Sequence, residues 1–190
     1  RTALMIFNRG LRFHPKDAQL RFARGRAWWA LGEMGKAVMD FEAAVRRAPG
    51  LVAARLHLGK VYVDNLDYKG ALAHFQAVLQ RWPGHQEAQL GAARALFGLK
   101  RFKPALAAYQ RVLKQHPKHW GAMFQIAKIH QAYLDQPRQA LIYYGQYVRA
   151  RPGLSKGDPV FATIKMLKAM TRAARRRPAP RPRGAGGAPK

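Results

Sequence analysis

The sequence predicts an all-helical fold, an α-solenoid of stacked helix–turn–helix repeats with a C-terminal capping helix. The first observation is a period of 34 residues, followed by one step of 35, that three independent columns share. These columns are the prolines Pro15, Pro49, Pro83, Pro117 and Pro152, the alanines Ala3, Ala37, Ala71, Ala105 and Ala140, and the aromatics Phe7, Phe41, Phe75, Tyr109 and Tyr144. All three slip at the same place, so one inserted residue lies between Pro117 and Ala140, most simply in the turn 134–137.

The second observation is the pattern of apolar residues inside each unit. They recur at helical spacing in two stretches, for example 52–64 and 69–80. Small residues such as Gly59 and Ala71 let two helices approach closely, and Phe75 fills the space beside them. The proline after each second helix ends that helix, because proline cannot continue it. One helix pair cannot bury both of its faces, so neighbouring pairs must stack.

These columns resemble those of the tetratricopeptide repeat (TPR) family, whose unit is a helix–turn–helix of 34 residues. The family positions fall on Gly25, Trp28, Gly32, Ala37, Phe41, Ala44 and Pro49, on Leu58, Gly59, Tyr62, Ala71, Phe75, Val78 and Pro83, on Ala92, Ala93, Leu96, Ala105, Tyr109, Val112 and Pro117, and on Ile126, Ala127, His130, Ala140, Tyr144, Tyr147 and Pro152. The resemblance implies a right-handed solenoid made of the second helix of a truncated unit, four full units, a capping helix and a basic tail. Their bounds are 1–17, 18–51, 52–85, 86–119, 120–154, 158–177 and 178–190.

Five positions depart from the family pattern. Arg21 and Arg24 occupy columns where the family prefers Trp and Leu, so we expect the first helix of unit 18–51 to be less well buried. Leu66 and Lys100 replace the usual turn glycine, and His130 stands in an aromatic column, where we interpret it as a packing residue. None of these residues threatens the fold.

The capping helix is predicted from its own start signal and pattern. Asp158 is a suitable N-cap, and Pro159 suits the first helical position. The stretch that follows mixes apolar residues with lysines and arginines, as a helix with one buried face does.

The composition argues against an enzyme. Cysteine is absent, Ser155 is the only serine, and no glycine pattern that cradles phosphate occurs. His116 and His119 lie in a turn between units without a carboxylate at ligand spacing, so we interpret them as turn residues rather than metal ligands. No apolar run approaches the roughly 18–20 residues of a membrane-spanning helix. We therefore expect no catalytic residue, metal site, cofactor or transmembrane segment.

The resemblance also points to a binding surface, because the first helix of each TPR unit lines a concave groove. One inward position of that helix carries a cation in every unit, and we call these residues the basic ladder: Arg26, Lys60, Arg94 and Lys128. One turn earlier on the same face stand the apolar residues Phe22, Leu56, Leu90 and Phe124, and three residues after the cations stand Trp29, Val63, Phe97 and Gln131. A basic stripe between apolar stripes predicts a partner segment that is acidic and partly apolar.

We interpret the chain as a non-enzymatic protein-interaction scaffold that holds an acidic protein or peptide within a larger assembly. The net charge of +26 keeps a second interpretation open, an RNA- or ribosome-associated structural protein. Its contacts with RNA, or with an anionic membrane surface, involve the arginines at the C-terminal end: Arg175, Arg176, Arg177, Arg181 and Arg183. The first 174 residues nevertheless carry a net charge of +20, so the tail is not the main source of charge.

The cellular location stays open. A composition rich in Arg, Ala, Gly and Pro without cysteine favours a bacterial or organellar protein. Because the sequence begins at Arg1, inside a unit, we expect further repeats upstream, and a removed targeting sequence is compatible with this start. The partner's identity and the oligomeric state do not follow from the sequence.

Overall fold

The computed structural model describes residues 2–151 and 153–176, and all regular structure in these residues is helical. The helices are α1 (Thr2–Phe13), α2 (Ala18–Ala30), α3 (Met34–Arg47), α4 (Val52–Asp64), α5 (Tyr68–Arg81), α6 (Gln86–Gly98), α7 (Phe102–Gln115), α8 (Trp120–Ala132), α9 (Pro137–Ala150) and α10 (Pro159–Arg176). The predicted all-helical fold of repeated helix pairs is confirmed. The chain divides between Ala122 and Met123 into two compact units, an N-terminal unit and a C-terminal unit.

The core of the N-terminal unit depends on glycines that leave room for aromatic rings. The ring of Phe75, which is 1% exposed, contacts α4 at Gly59 and α6 at Gly91. A Cβ atom on Gly59 would lie 2.6 Å from that ring, and one on Gly25 would lie 2.7 Å from the ring of Phe41. Both distances are shorter than van der Waals contact, so only glycine fits without a shift of the ring.

The turn inside each helix pair requires one residue in the left-handed region of backbone space. The φ angles of the four equivalent residues are 78° at Gly32, 62° at Leu66, 59° at Lys100 and 48° at Asp135. The turn therefore keeps its shape where glycine is replaced. Asp135 follows Lys100 by 35 residues, whereas α8 begins 34 residues after α6, so the inserted residue lies between Ala132 and Asp135.

A repeated hydrogen bond fixes the proline turns between helix pairs of the N-terminal unit. Its donors are Arg21, Arg55 and Gln89, which stand 34 residues apart. The Nη2 of Arg21 donates to the carbonyl of Pro15 at 2.9 Å, the Nε of Arg55 to that of Pro49 at 2.8 Å, and the Nε2 of Gln89 to that of Pro83 at 2.7 Å. Arg21, a departure from the family pattern, therefore stabilises a turn.

Arg24, the second basic departure, forms an ion pair with a nearly buried carboxylate. Its Nε and Nη2 donate to the two carboxylate oxygens of Asp40 on α3, each at 2.7 Å. Its Nη1 donates to Oδ1 of Asn8 on α1 at 2.9 Å. The hydrogen bond to Asp40 is the main cause that raises the pKa of Arg24. Helix α2 buries only Phe22 and Gly25, which agrees with the expectation drawn from Arg21 and Arg24 that this helix is less well buried.

In the C-terminal unit α10 packs against α9, and Val160 and Leu167 of α10 are buried. The Oδ1 of Asp158 accepts a hydrogen bond from the backbone N–H of Val160 at 3.0 Å, so Asp158 caps the helix as predicted. His130 is 6% exposed, its Nδ1 lies 2.8 Å from Oε1 of Gln136, and its ring stacks on that of Tyr143. His130 is thus a packing residue.

Candidate functional site

The first helices of three successive helix pairs in the N-terminal unit, α2, α4 and α6, contribute to one polar and aromatic surface. Its centre is His57 on α4, whose Nδ1 lies 2.9 Å from the carbonyl oxygen of Ala53. The rings of Phe22 and Trp29 on α2 meet the imidazole edge to face, each with its centroid 5.1 Å away. These contacts join α2 to α4 and orient the imidazole.

The charges around His57 are mostly positive. Burial is the main cause that lowers the pKa of His57, and the nearby charges of Lys60 and Arg26 lower it further. The hydrogen bond to Ala53 and the carboxylate of Glu87 act in the opposite direction. The imidazole is therefore neutral at pH 7, and the positive charge of this surface comes from Arg26 and Lys60.

Lys60 forms an ion pair with Glu87, which joins α4 to α6. The lysine side chain stays 40% exposed and that of Glu87 45% exposed, so both reach solvent. Arg94 is exposed and follows Glu87 by seven residues, nearly two helical turns, so it lies on the same side of α6. Arg26, Lys60 and Arg94 therefore share the surface that α2, α4 and α6 form.

The apolar residues predicted beside the basic ladder differ in how much surface they offer. Trp29, Val63, Leu90 and Phe97 are half-buried, and part of each side chain is accessible. Phe22 and Leu56 are only 9% and 6% exposed, because Phe22 packs on Phe41 and Leu56 lies in the core with Phe75. This corrects the expectation for these two residues: they support the surface from within the core rather than offer side chains to a partner.

The fourth cation of the basic ladder, Lys128, belongs to the C-terminal unit. Its Nζ lies 5.9 Å from the ring centroid of Phe124, which packs on Tyr144 and Tyr147. Arg26 lies 6.0 Å from the ring of Phe22 in the same four-residue spacing. An aromatic residue one turn before the cation thus gives a cation–π contact in both units.

The remaining predicted contacts fall on the C-terminal end. The side chains of Arg175 and Arg176, together with Arg177, Arg181 and Arg183, lie outside the described residues, so the polyanion contact stays a prediction. Across residues 2–151 and 153–176, no three His, Asp or Glu side chains are arranged to hold a metal ion. None of the helices in that part of the chain combines the length and hydrophobicity needed to cross a bilayer.

Sequence reasoning did not identify His57. The equivalent positions in the other units are Ala23, Gly91 and Gln125, so no repeated column marks it. Its position three residues before Lys60, on the same side of α4, is the only available signal. The pairing of Lys60 with Glu87 was also not predicted, because it depends on how α4 and α6 pack.

Known proteins give the family and the fold. Tetratricopeptide repeat family models match residues 64–126 and residues 1–52, together more than half of the chain. No curated protein matches this sequence. MamA from Desulfovibrio magneticus RS-1 is 20% identical, with a TM-score of 0.73 over 77% of this chain and 82% of its own.

Two further solved structures are similar. YrrB, described as a TPR protein with an unusual peptide-binding site, is 20% identical, with a TM-score of 0.72 over 87% of this chain and 84% of its own. Another MamA structure is 17% identical, with a TM-score of 0.74 over 82% of each chain. Such identities show the fold alone. From the matched repeats, the chain belongs to the tetratricopeptide repeat family.

Proposed function

We propose that this protein is a non-enzymatic interaction scaffold whose N-terminal unit binds an acidic, partly apolar segment of a partner protein. The observation that carries the proposal is the surface of α2, α4 and α6, which carries exposed Arg26 and Arg94 together with the Lys60–Glu87 ion pair. Half-buried Trp29 and Phe97 supply accessible apolar surface beside them. The peptide-binding description of YrrB, a protein of similar fold, agrees with this use.

Charge decides which segment the surface prefers. Each exposed ion pair contributes only about 0–1 kcal/mol, so three cations discriminate between acidic and neutral segments by at most about a hundredfold. Guanidinium groups bind carboxylates through two parallel hydrogen bonds, which suits Arg26 and Arg94. Most of the affinity must then come from burial of apolar side chains against Trp29 and Phe97. The expected partner segment carries both kinds of residue.

A capture experiment tests the proposal. The tagged chain, the double variant Arg26→Glu with Arg94→Glu, and a control, Lys69→Glu, are incubated with nuclease-treated lysate. Lys69 is exposed near the start of α5, outside this surface, so the control reverses a charge without touching it. We expect one or a few acidic proteins with the parent chain and the control, and their loss with the double variant. Equal recovery by all three chains contradicts the proposal.

RNA association is the second candidate, favoured by the net charge of +26. It predicts that nuclease removes the captured material and that deletion of residues 175–190 weakens capture. It also predicts a steep fall in affinity with salt, since each neutralised phosphate releases counterions. A partner that survives nuclease and depends on Arg26 and Arg94 argues against this function.

A further inference from the structure

Apart from the surface of the basic ladder, the N-terminal unit contains a cleft of about 740 Å³ between α5 and α7 with α6 as its floor. Its apolar lining consists of Leu72, Leu79, Ala92, Leu96 and Ala108. The volume lies within the range of about 300–1,000 Å³ that is usual for ligand sites. An open cleft of this size accommodates a short peptide segment.

The cleft is separate from the basic ladder. Ala92 and Leu96 line it, and each stands two residues from Arg94 on α6. Two residues correspond to about 200° around a helix, so the cleft lies on the opposite side of α6 from Arg94. A ligand in the cleft therefore leaves the basic ladder free.

One side chain in the cleft has an unused hydrogen-bond acceptor. Gln89 lines the cleft, is 9% exposed and donates through Nε2 to the carbonyl of Pro83. Its Oε1 is buried and accepts no hydrogen bond from any group in the described part of the chain. A buried acceptor without a partner is unfavourable, and an N–H or O–H donor bound in the cleft would satisfy it.

The polar residues around the apolar lining indicate what the cleft prefers. Arg111 and Lys114 on α7 are exposed, and no acidic residue is among those that line the cleft. Gln76, Gln80 and Gln115 add amide groups. An amide carries both donors and acceptors, which matches the alternating N–H and C=O groups of a peptide backbone.

We propose that this cleft is a second binding site, for a short acidic peptide with an apolar anchor residue. The anchor packs on Leu79 and Leu96, which are half-buried, a carboxylate pairs with Arg111 and Lys114, and a backbone N–H donates to Oε1 of Gln89. This site is independent of the function proposed for the basic ladder, because the cleft and the ladder lie on opposite sides of α6.

Fluorescence anisotropy with the full chain tests the site. The probe is the peptide Asp-Leu-Glu-Leu-Asp-amide with fluorescein attached to its N-terminal amine. We expect the variant Arg111→Glu with Lys114→Glu to bind at least tenfold more weakly than the parent chain. The matched control, Lys69→Glu with Lys103→Glu, reverses two exposed charges outside the cleft and is expected to weaken binding less than twofold.

The ladder variant Arg26→Glu with Arg94→Glu separates the two proposals. The cleft proposal predicts that this variant still binds the probe, and that adding Arg111→Glu with Lys114→Glu to it weakens the remaining binding at least tenfold. If the ladder variant abolishes binding while the cleft variant retains it, the cleft proposal is wrong and the basic ladder is the site. Absence of binding to the parent chain at 1 mM protein also overturns the proposal.

A second experiment tests whether Oε1 of Gln89 accepts a hydrogen bond from the backbone of the probe. A probe whose backbone nitrogens are methylated cannot donate to Gln89, so we expect it to bind the parent chain several-fold more weakly. Against Gln89→Met, which removes this acceptor, the difference in affinity between the two probes should become smaller. Circular dichroism checks that this variant remains folded. A methylation penalty that is unchanged in Gln89→Met rules out the proposed role of Oε1.

Discussion

At the scale of single residues, Phe75 shows how closely the helices of the N-terminal unit are fitted. Its ring contacts the backbone of two different helices, because Gly59 and Gly91 have no side chain. A methyl group at either position overlaps the ring, and overpacking of this kind costs about 1–3 kcal/mol. Helix propensity alone would favour alanine over glycine by about 1 kcal/mol. The crowding therefore outweighs helix propensity, so replacing either glycine with alanine is expected to lower the free energy of unfolding.

The prediction for this contact is that Gly91→Ala lowers the free energy of unfolding by about 1–2 kcal/mol. Urea denaturation followed by circular dichroism measures the change. Gly35 near the start of α3 is the control, since nothing lies near its missing Cβ, and Gly35→Ala should stabilise slightly. In the background Phe75→Leu, the penalty of Gly91→Ala should shrink. An equal penalty in both backgrounds would show that the ring is not the cause.

Two histidines make the stability depend on pH. Burial lowers the pKa of His57 and of His74 from the ordinary value of 6.5. The Nδ1 of His74 is buried and has no hydrogen-bond partner among the described residues, and its ring stacks on Tyr62. The unfolded chain therefore binds more protons than the folded chain once the pH falls through 6.5. The contribution of the two neutral histidines to the free energy of unfolding is fully present above this pH and decreases as the pH falls below it.

We expect the free energy of unfolding to decrease between pH 7 and pH 5, and the double variant His57→Gln with His74→Gln to flatten this dependence. Chemical denaturation at several pH values provides the measurement. His14→Gln replaces an exposed histidine and is the control, with a slope equal to that of the parent chain. A double variant that keeps the full slope would assign the pH dependence to other groups.

At the scale of helices and turns, the repeated columns in the sequence were sufficient to predict where the helices begin and end. Helix α4 spans the predicted residues 52–64, and α5 extends one residue beyond each end of the predicted stretch 69–80. The ion pair of Arg24 with Asp40 was not predicted, because it joins residues 16 positions apart on helices whose crossing the sequence does not specify. The repeat spacing predicted the side of α2 on which Phe22 lies, but it did not predict how much of the side chain is exposed. The burial of Phe22 was therefore missed as well.

The turns inside the helix pairs carry local strain. Leu66 and Lys100 adopt left-handed backbone angles, which cost a residue other than glycine roughly 1–2 kcal/mol. Leu66 is 69% exposed, so little burial is lost when its side chain is removed. Glycine brings a larger entropy loss on folding, which offsets part of the gain. The balance still favours glycine at both positions.

We therefore predict that Leu66→Gly and Lys100→Gly each raise the free energy of unfolding by about 0.5–1 kcal/mol. Thermal and urea denaturation measure it. The reverse change, Gly32→Ala, introduces the same strain into open space and should destabilise by about 1 kcal/mol. If both glycine variants are less stable than the parent chain, side-chain contacts rather than backbone strain control these turns.

At the scale of the whole molecule, net charge opposes folding. The chain carries 35 Lys and Arg against 9 Asp and Glu, so most cations have no acidic partner available. Packing the chain into compact units brings these charges together, and their repulsion lowers stability at low ionic strength. Salt screens charges beyond about 10 Å at 0.1 M, which relieves this repulsion more than it weakens close ion pairs such as Arg24–Asp40.

The resulting prediction is that the free energy of unfolding increases as sodium chloride is raised from 10 to 200 mM. Urea denaturation at each salt concentration measures the change, and chloride is used rather than sulfate to avoid general stabilisation by ion exclusion. The variant Lys69→Glu with Lys103→Glu lowers the net charge by four at exposed positions, so its stability should depend less on salt. A decrease of stability with salt would mean that close ion pairs outweigh the repulsion.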